Sequence, residues 1–310
     1  MVAAGTYFNS GFIGYSYSNN VSLRQQFNLV WRCPPIYSND LFNHNDLYAL
    51  YNKEQKRGAL IKSKMKVIPL SEGAFTVDKT KQFIPFNKDK DALQQRSTGS
   101  LLVEIQPFVI ITSKDILLLD AGLGFEADGV LQLHKNLLAN GIDPAAVTKV
   151  LISHLHKDHA GGISFIKNGT RELSFVNATY YINRKEFDFA LANTKSSYIP
   201  EDFSLLQNSP QLILLDDAGI IDDYVIYEIT GAHSPFHQVF WIVKDKEKIF
   251  FGGDVAPQLQ QMKNRFSAKY DYDGKKSMEL RQQWWKKGEE ENWSFLFYHD
   301  IKTPVFKSGY

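Results

Sequence analysis

Ser153-His-Leu-His-Lys-Asp-His-Ala-Gly-Gly162 sets His154, His156, Asp158 and His159 within six positions. No folding rule asks for that density, because histidine is uncommon in cores and each buried ring needs a hydrogen-bond partner. Imidazole and carboxylate together are the ligand set of a divalent metal site for zinc, iron, manganese or cobalt. His154 and His156 are two apart, so in an extended segment both rings face one side. Asp158 and His159 follow after the chain turns, and Gly161-Gly162 allows a sharp reversal near a helix start. Adjacent Asp158 and His159 cannot easily serve the face of the first pair, so the spacing favours two metal positions over one.

The residues around this run explain how it is held. Lys149-Val-Leu-Ile-Ser153 reads as a strand that delivers His154 at its carboxyl end, where the backbone is rigid and the loops beyond can converge. Three later apolar strands also stop at potential ligands. Tyr224–Ile229 precedes His233, and Ile249-Phe-Phe-Gly-Gly closes on Asp254. That segment is the second arm of a hairpin whose first arm is Val239–Val243 and whose turn is Lys244–Lys248. Trp293–Tyr298 ends at His299. Five of the eight histidines belong to this set.

Further out the pattern is one of short apolar runs separated by turns. Lys66–Leu70, Leu101–Ile105, Phe108–Thr112 and Ile116–Leu119 read as strands, the continuous runs among them as strands buried on both faces. A helix is expected through Val130, Leu131, Leu133, Leu137 and Leu138, ending near Gly141. Asp143-Pro144 makes an N-cap and first-turn pair for a short helix. Strand, helix and strand again predict an α/β layered domain over residues 63–310. Residues 1–62 differ: Asn19, Asn20, Asn28, Asn39, Asn43 and Asn45 punctuate them, and periodicity is poor apart from a helix through Leu47, Leu50 and Tyr51. They are expected to be a weakly structured or capping extension.

Bulk properties narrow the partners. Of 310 residues, 35 are Lys or Arg and 34 Asp or Glu, a net charge of +1 that draws the chain toward neither nucleic acid nor membrane. The lone cysteine, Cys33, cannot form an internal disulfide and excludes a thiolate cluster. No apolar run reaches the length of about 18 residues that a spanning helix needs. Met-Val-Ala-Ala-Gly-Thr-Tyr7 has no charged segment followed by an apolar core, so the expected compartment is the cytoplasm.

The series His154-x-His156-x-Asp158-His159, then His233, Asp254 and His299, resembles the metallo-β-lactamase superfamily over residues 64 to 306. The resemblance implies a four-layer αβ/βα sandwich of two mixed β-sheets flanked by helices, with a dinuclear site at one edge. It also implies that His154, His156 and His233 hold one metal, that Asp158, His159 and His299 hold the other, and that Asp254 bridges both. Zinc is the expected ion, with iron, manganese or cobalt accepted by the same ligands. Asp120, in Leu-Leu-Asp-Ala-Gly122, matches the family's early aspartate, which positions ligand histidines. His237 matches a residue behind the ligands and is read as a hydrogen-bonded structural histidine. His44 and His134 lie outside any constellation.

Two cations a few Å apart bring a bridging hydroxide toward a neutral pKa and polarise the scissile group. Asp158, at the metal and beside the leaving group, is the natural proton acceptor and donor. The expected reaction is metal-assisted hydrolysis of an ester-like bond in a small-molecule substrate, a lactone or carboxylic ester. Asp254 stands where zinc β-lactamases carry a cysteine or another ligand, which argues against β-lactams. Glyoxalase-II-like thioesterases and nucleases share the ligand set, but a nuclease wants a basic surface that the net charge does not offer. A phosphoester or phosphotriester hydrolase, a single-iron sulfur dioxygenase and a non-catalytic binding module are the remaining alternatives.

Gly73-Ala-Phe-Thr-Val-Asp78, the Gly-x-His-Ser-Pro-x-His stretch and Lys269-Tyr-Asp-Tyr-Asp273 resemble the lactonase branch, which includes acyl-homoserine-lactone lactonases and related organophosphate hydrolases. Dimers are common in that branch, which leaves a homodimer open. Two positions depart from it. Lys157 stands where an aromatic is frequent, and Pro257 stands where a tyrosine hydroxyl would meet the substrate carbonyl. Lys157, Tyr270 and Tyr272 are therefore the candidate substrate contacts. One of Trp284 and Trp285 is expected in the core, and Glu289-Glu-Glu291 on a solvated helix end. Asn193–Phe203, with buried Tyr198, Ile199 and Phe203, is expected to form a lid.

Overall fold

The structure is a computed structural model that describes residues 64–127, 129–194 and 197–309. The extension expected over residues 1–62, its helix and His44 lie outside the described residues.

Two six-stranded sheets make the centre. In the first, Lys66–Pro69, Phe108–Ile111, Ile116–Leu119, Lys149–Leu151, Thr179–Asn183 and Leu212–Leu215 lie side by side in chain order. In the second, Ala218–Ile221, Val225–Ile229, Gln238–Lys244, Glu247–Phe251, Ser294–Leu296 and Val305–Lys307 do the same. Both sheets are mixed. The first pairs antiparallel at Phe108–Ile111 with Ile116–Leu119 and parallel at Ile116–Leu119 with Lys149–Leu151. The second is antiparallel except where Glu247–Phe251 meets Ser294–Leu296.

The alternation of side chains along each strand decides the layers. Phe108, Ile110, Leu117 and Leu119 point between the sheets, where they meet Phe240, Ile242, Phe251 and Leu296 of the second sheet. Their neighbours Val109 and Leu118 point the other way, onto Leu133 and Leu137 of helix Gln132–Ala139 and Phe187 and Ala190 of helix Arg184–Ala192. On the far side Trp241, Phe250, Trp293 and Phe295 pack against Trp284 of helix Gly274–Glu291 and against Leu259 and Met262. The result is helix, sheet, sheet, helix: the expected αβ/βα sandwich. Each large apolar side chain so buried contributes roughly 1.5–3 kcal/mol, an upper figure because the unfolded chain is not fully extended.

Details differ from the expectations. Leu101–Ile105 is apolar except for Glu104 but belongs to neither central sheet. It pairs with Gly73–Val77 in a three-stranded sheet, and Leu101 is 46% exposed. The helix expected from Val130 starts at Gln132, because Val130–Leu131 pairs with Glu126–Ala127. Asp143 caps one 3-10 turn, its side chain accepting from the Ala145 N–H at 2.8 Å. Trp284 is the tryptophan in the core, while Trp285 stacks on Phe306. Glu289 and Glu290 are exposed, as expected, and Glu291 pairs with Lys248. Among the described residues no helix is long and apolar enough to cross a membrane.

Gly161 and Gly162 matter for a different reason from the one expected. Gly161 has ordinary right-handed helical angles (φ −56°, ψ −33°), so no reversal demands glycine. A Cβ on Gly161 would lie 2.3 Å from the Leu123 carbonyl oxygen, and one on Gly162 2.1 Å from that of Ala121. The backbone after the histidine run packs directly on the loop that follows Asp120.

Candidate metal centre

The ligand candidates converge because their strands end at one edge. Val225–Ile229, Glu247–Phe251 and Ser294–Leu296 run in the same direction, so His233, Asp254 and His299 emerge together. The Gln238 N–H donates to the Ser153 carbonyl at 2.9 Å and its side-chain amide to that of Ile152 at 2.7 Å. Those two bonds bring the end of Lys149–Leu151, with the histidine run, to the same place.

Two groups result. His154, His156 and His233 form one, and Asp158, His159, Asp254 and His299 the other, with the potential ligand atoms of each group within 4.8 Å of one another. In the first, His156 Nδ1 lies 2.9 Å from His154 Nε2 and 3.2 Å from His233 Nε2. In the second, His159 Nε2 is 3.2 Å from Asp254 Oδ1 and 3.6 Å from Asp158 Oδ2. His299 Nε2 is 3.0 Å and 3.5 Å from the same two oxygens. Asp254, of the second group, also approaches the first, its Oδ2 lying 3.3 Å from His233 Nε2.

The outward ring nitrogens settle which way the inward ones point. His159 Nδ1 faces Asp120 Oδ2 at 2.7 Å, His233 Nδ1 faces Asp271 Oδ1 at 2.9 Å, and His299 Nδ1 faces the Glu104 carbonyl at 2.7 Å. Those partners accept only, so each Nδ1 carries a hydrogen and a neutral ring offers a lone pair at Nε2. Asp120 also accepts from Ser153 N–H and Oγ at 2.6 and 2.7 Å, and Ser153 Oγ sits 3.1 Å from His154 Nδ1. Asp120 does this in a left-handed backbone conformation (φ 55°), strain held in place by the bonds around it.

Such a set fits a divalent cation. Ligand atoms about 2.1 Å from a tetrahedral ion stand about 3.4 Å apart, and the inward atoms here bracket that spacing. His159 Nε2 and Asp254 Oδ1 are buried without an aligned hydrogen-bond partner. Burial, reinforced by the neighbouring rings, holds His154 and His156 well below the usual histidine range, in the neutral form that ligates. Burial also works against a charged His159, yet Asp254, Asp158 and Asp120 outweigh it and hold that ring well above the usual range. Burial would raise Asp254, and His299, His159 and His233 overcome it and hold its carboxyl well down. The second group thus concentrates negative charge that a cation would balance.

The remaining candidates fall into place around these groups. His237 is fully buried and accepts the Asp254 N–H at Nε2 (3.2 Å), while Thr230 Oγ1 lies 3.3 Å from its Nδ1, so it supports the backbone behind the site. His134 is half-buried away from the site, its Nε2 3.0 Å from the Ser174 carbonyl. The amino group of Lys157 donates to the Lys81 carbonyl and lies over the Phe83 ring. Tyr270 packs at 6.0 Å from the His233 ring, and Gln261 donates to its hydroxyl at 3.3 Å. Tyr272 is 70% exposed. In the expected lid, Tyr198 packs 4.8 Å from the His156 ring and Phe203 is buried, but Ile199 is 38% exposed.

Sequence reading missed three supports. Glu186, nearly fully buried, accepts from Leu155 N–H, Tyr198 hydroxyl and Ser234 hydroxyl at 3.0, 3.3 and 3.2 Å, joining both loops of the first group. The Tyr298 hydroxyl donates to the Asp158 carbonyl at 2.6 Å, and its ring stacks on His159 at 4.1 Å. Asp271 holds His233. Only Asp271 had a signal, the acidic-aromatic run Lys269–Asp273, which says nothing about its partner.

A profile of the metallo-beta-lactamase superfamily matches residues 104–286. An N-acyl homoserine lactonase, AttM, of Azorhizobium caulinodans is 34% identical over 117 residues, 34% of this chain and 39% of the relative. The AttM of Agrobacterium fabrum is 33% identical over 117 residues with the same coverage. The matching segment therefore spans 39% of the length of each of these curated relatives. Among solved structures, a probable metal-dependent hydrolase from Staphylococcus aureus superposes with a TM-score of 0.66 at 21% identity, over 80% of this chain and 94% of that one. AidC, a dizinc quorum-quenching lactonase, superposes with a TM-score of 0.61 at 19% identity, over 79% and 91%. At these identities the superpositions show a shared fold.

Proposed function

This chain belongs to the metallo-beta-lactamase superfamily, and from that premise we propose that it is a dinuclear metal-dependent hydrolase that opens a lactone or cleaves a carboxylic ester. The observation that carries the reading is Asp254, which sets Oδ1 among the atoms of one ligand group and Oδ2 beside His233 of the other. His154, His156 and His233 would hold one ion and Asp158, His159 and His299 the second, shared through Asp254. Divalent ions bound there, zinc by preference, supply a water made nucleophilic at neutral pH and polarisation of the scissile carbonyl.

The chain's own residues do the rest. A carboxylate oxygen of Asp158 takes the proton released as water attacks and returns it to the leaving alkoxide. Tyr298 fixes Asp158 for that task through its carbonyl, which leaves the carboxylate free to move a proton. Pro257 offers no hydroxyl, and the Tyr270 ring, 6.0 Å from that of His233, supports Tyr270 as the donor to the substrate carbonyl. Burial pushes its hydroxyl up to about 12, so it is a donor at neutral pH. The likeness to lactonases over part of the chain supports the substrate class, a small molecule with a lactone or ester.

The test is proton release from lactones, aryl esters, thioesters and phosphotriesters, with metal-loaded wild type and His154→Ala. Turnover of lactones or esters that vanishes in the variant is expected. Turnover confined to thioesters or phosphotriesters would reassign the substrate, and silence across the panel would reject the hydrolase.

A further inference from the structure

Two buried charges lie just behind the first ligand group and have no part in the chemistry above. Asp271 sits in the turn before helix Gly274–Glu291 with its side chain 1% exposed, and Arg281 lies two turns into that helix, also 1% exposed. Isolated buried charges are expensive, so both need partners. Asp271 finds His233, its Oδ1 accepting from Nδ1 at 2.9 Å. Arg281 donates to the carbonyls of Val255, at 2.7 Å, and Phe266.

The turn that carries Asp271 is itself fastened to the His233 loop. The Tyr272 N–H donates to the His233 carbonyl at 3.0 Å and the Asp273 N–H to that of Ala232 at 2.7 Å. Asp273 then caps the helix, accepting from the Lys276 N–H at 2.9 Å. Asp271 is thus fixed relative to the imidazole it meets, by backbone bonds on one side and an 18-residue helix on the other. Arg281 ties the same helix to Val255, the residue after Asp254.

We propose that Asp271 is a positioning residue for His233, holding the ring in the Nδ1–H form so that Nε2 is presented to the first ion. The proposal rests on His233 being a ligand. A carboxylate behind a ligating histidine fixes its tautomer and orientation and raises its basicity, and loss of such a partner typically weakens metal binding about 10- to 100-fold. A purely structural Asp271 would instead stabilise the fold and leave the affinity of the folded protein alone.

The experiment is chelator-competition titration of the metal-free protein with zinc, and of cobalt with its visible absorption, for wild type, Asp271→Ala and Asp271→Asn. Folding of each protein is checked by circular dichroism. Asp271→Ala is expected to keep one ion at wild-type affinity and to weaken the other about 10- to 100-fold, with an altered cobalt spectrum. Asn retains an acceptor oxygen without the charge, so Asp271→Asn should recover part of that loss. Two ions bound at wild-type affinity with an unchanged spectrum in either folded variant would overturn the proposal. If Asp271→Ala fails to fold, Asp271→Asn decides by the same criterion. A wild type that binds two ions but opens no lactone refutes the functional reading alone; one that binds no ion overturns both.

Discussion

Asp120 Oδ2 lies 2.7 Å from His159 Nδ1, joining the end of strand Ile116–Leu119 to the second ligand group across 39 residues of sequence. The same carboxylate holds Ser153, whose hydroxyl meets His154 of the first group. One buried side chain therefore orients a ring in each group. Asp120→Ala should lower affinity for both ions, each about 10- to 100-fold. Asp120→Asn keeps the left-handed backbone tolerable but can offer only one acceptor oxygen, so it should be milder. Competitive metal titration measures both variants, and wild-type affinities in Asp120→Ala would contradict the assignment.

Glu72 should make the stability of the fold depend on pH. Burial pushes its carboxyl up to about 8, against backbone bonds that include the Leu123 N–H at 2.6 Å. Its ordinary value is 4.5, so the folded state holds a proton that the unfolded chain has released between those two values. The contribution is fully present below about pH 4.5 and is lost progressively as the pH rises to about 8. Glu72→Gln should flatten that decline, gaining on the order of several kcal/mol relative to wild type by pH 8. Urea unfolding midpoints at pH 5, 7 and 9 provide the comparison, and parallel slopes for the two proteins would refute it.

Gly162 tests the close approach behind the histidine run. A methyl group 2.1 Å from the Ala121 carbonyl oxygen must displace backbone, since no flexible side chain is there to yield. Gly162→Ala should destabilise the fold by about 1–3 kcal/mol and disturb Asp158 and His159 with it. Thermal unfolding with and without zinc should show a smaller metal-induced rise in Tm than in wild type.

Tyr270, 38% exposed, has its ring 6.0 Å from that of His233, while Tyr272 is 70% exposed. Tyr270→Phe should lower kcat about 100- to 1,000-fold, in keeping with removal of one donor to a developing oxyanion, and leave two ions bound. Tyr272→Phe should have no such effect. Equal kcat values for Tyr270→Phe and wild type would move the donor role elsewhere.

The seven side chains that the structure gathers into two groups are legible in the sequence, for a physical reason. Metal ligands must be His, Asp or a few other types, and strand ends must bring them together, so His154, His156, Asp158, His159, His233, Asp254 and His299 stand out by type and position. Their supports do not. His299 is held by the carbonyl of Glu104, and a backbone acceptor has no residue signature. Asp271 and Glu186 act across 38 and 31 residues, a pairing that composition cannot reveal. The largely apolar segment Leu101–Ile105 announces a strand but not its sheet, because hydrophobicity records burial and not the neighbour. Tyr198, Ile199 and Phe203 looked alike as apolar residues in a polar segment, yet only Ile199 is left exposed by the packing around His156.

If the Asp254 carboxylate joins two metal positions, metal content per chain must show it. Elemental analysis of wild type and Asp254→Ala, after loading with zinc and removal of free ion, should give two ions per chain for wild type. The variant should give at most one, with lactone turnover abolished. One ion per fully active wild-type chain, or one iron with oxygen consumed during turnover, would contradict the dinuclear hydrolase.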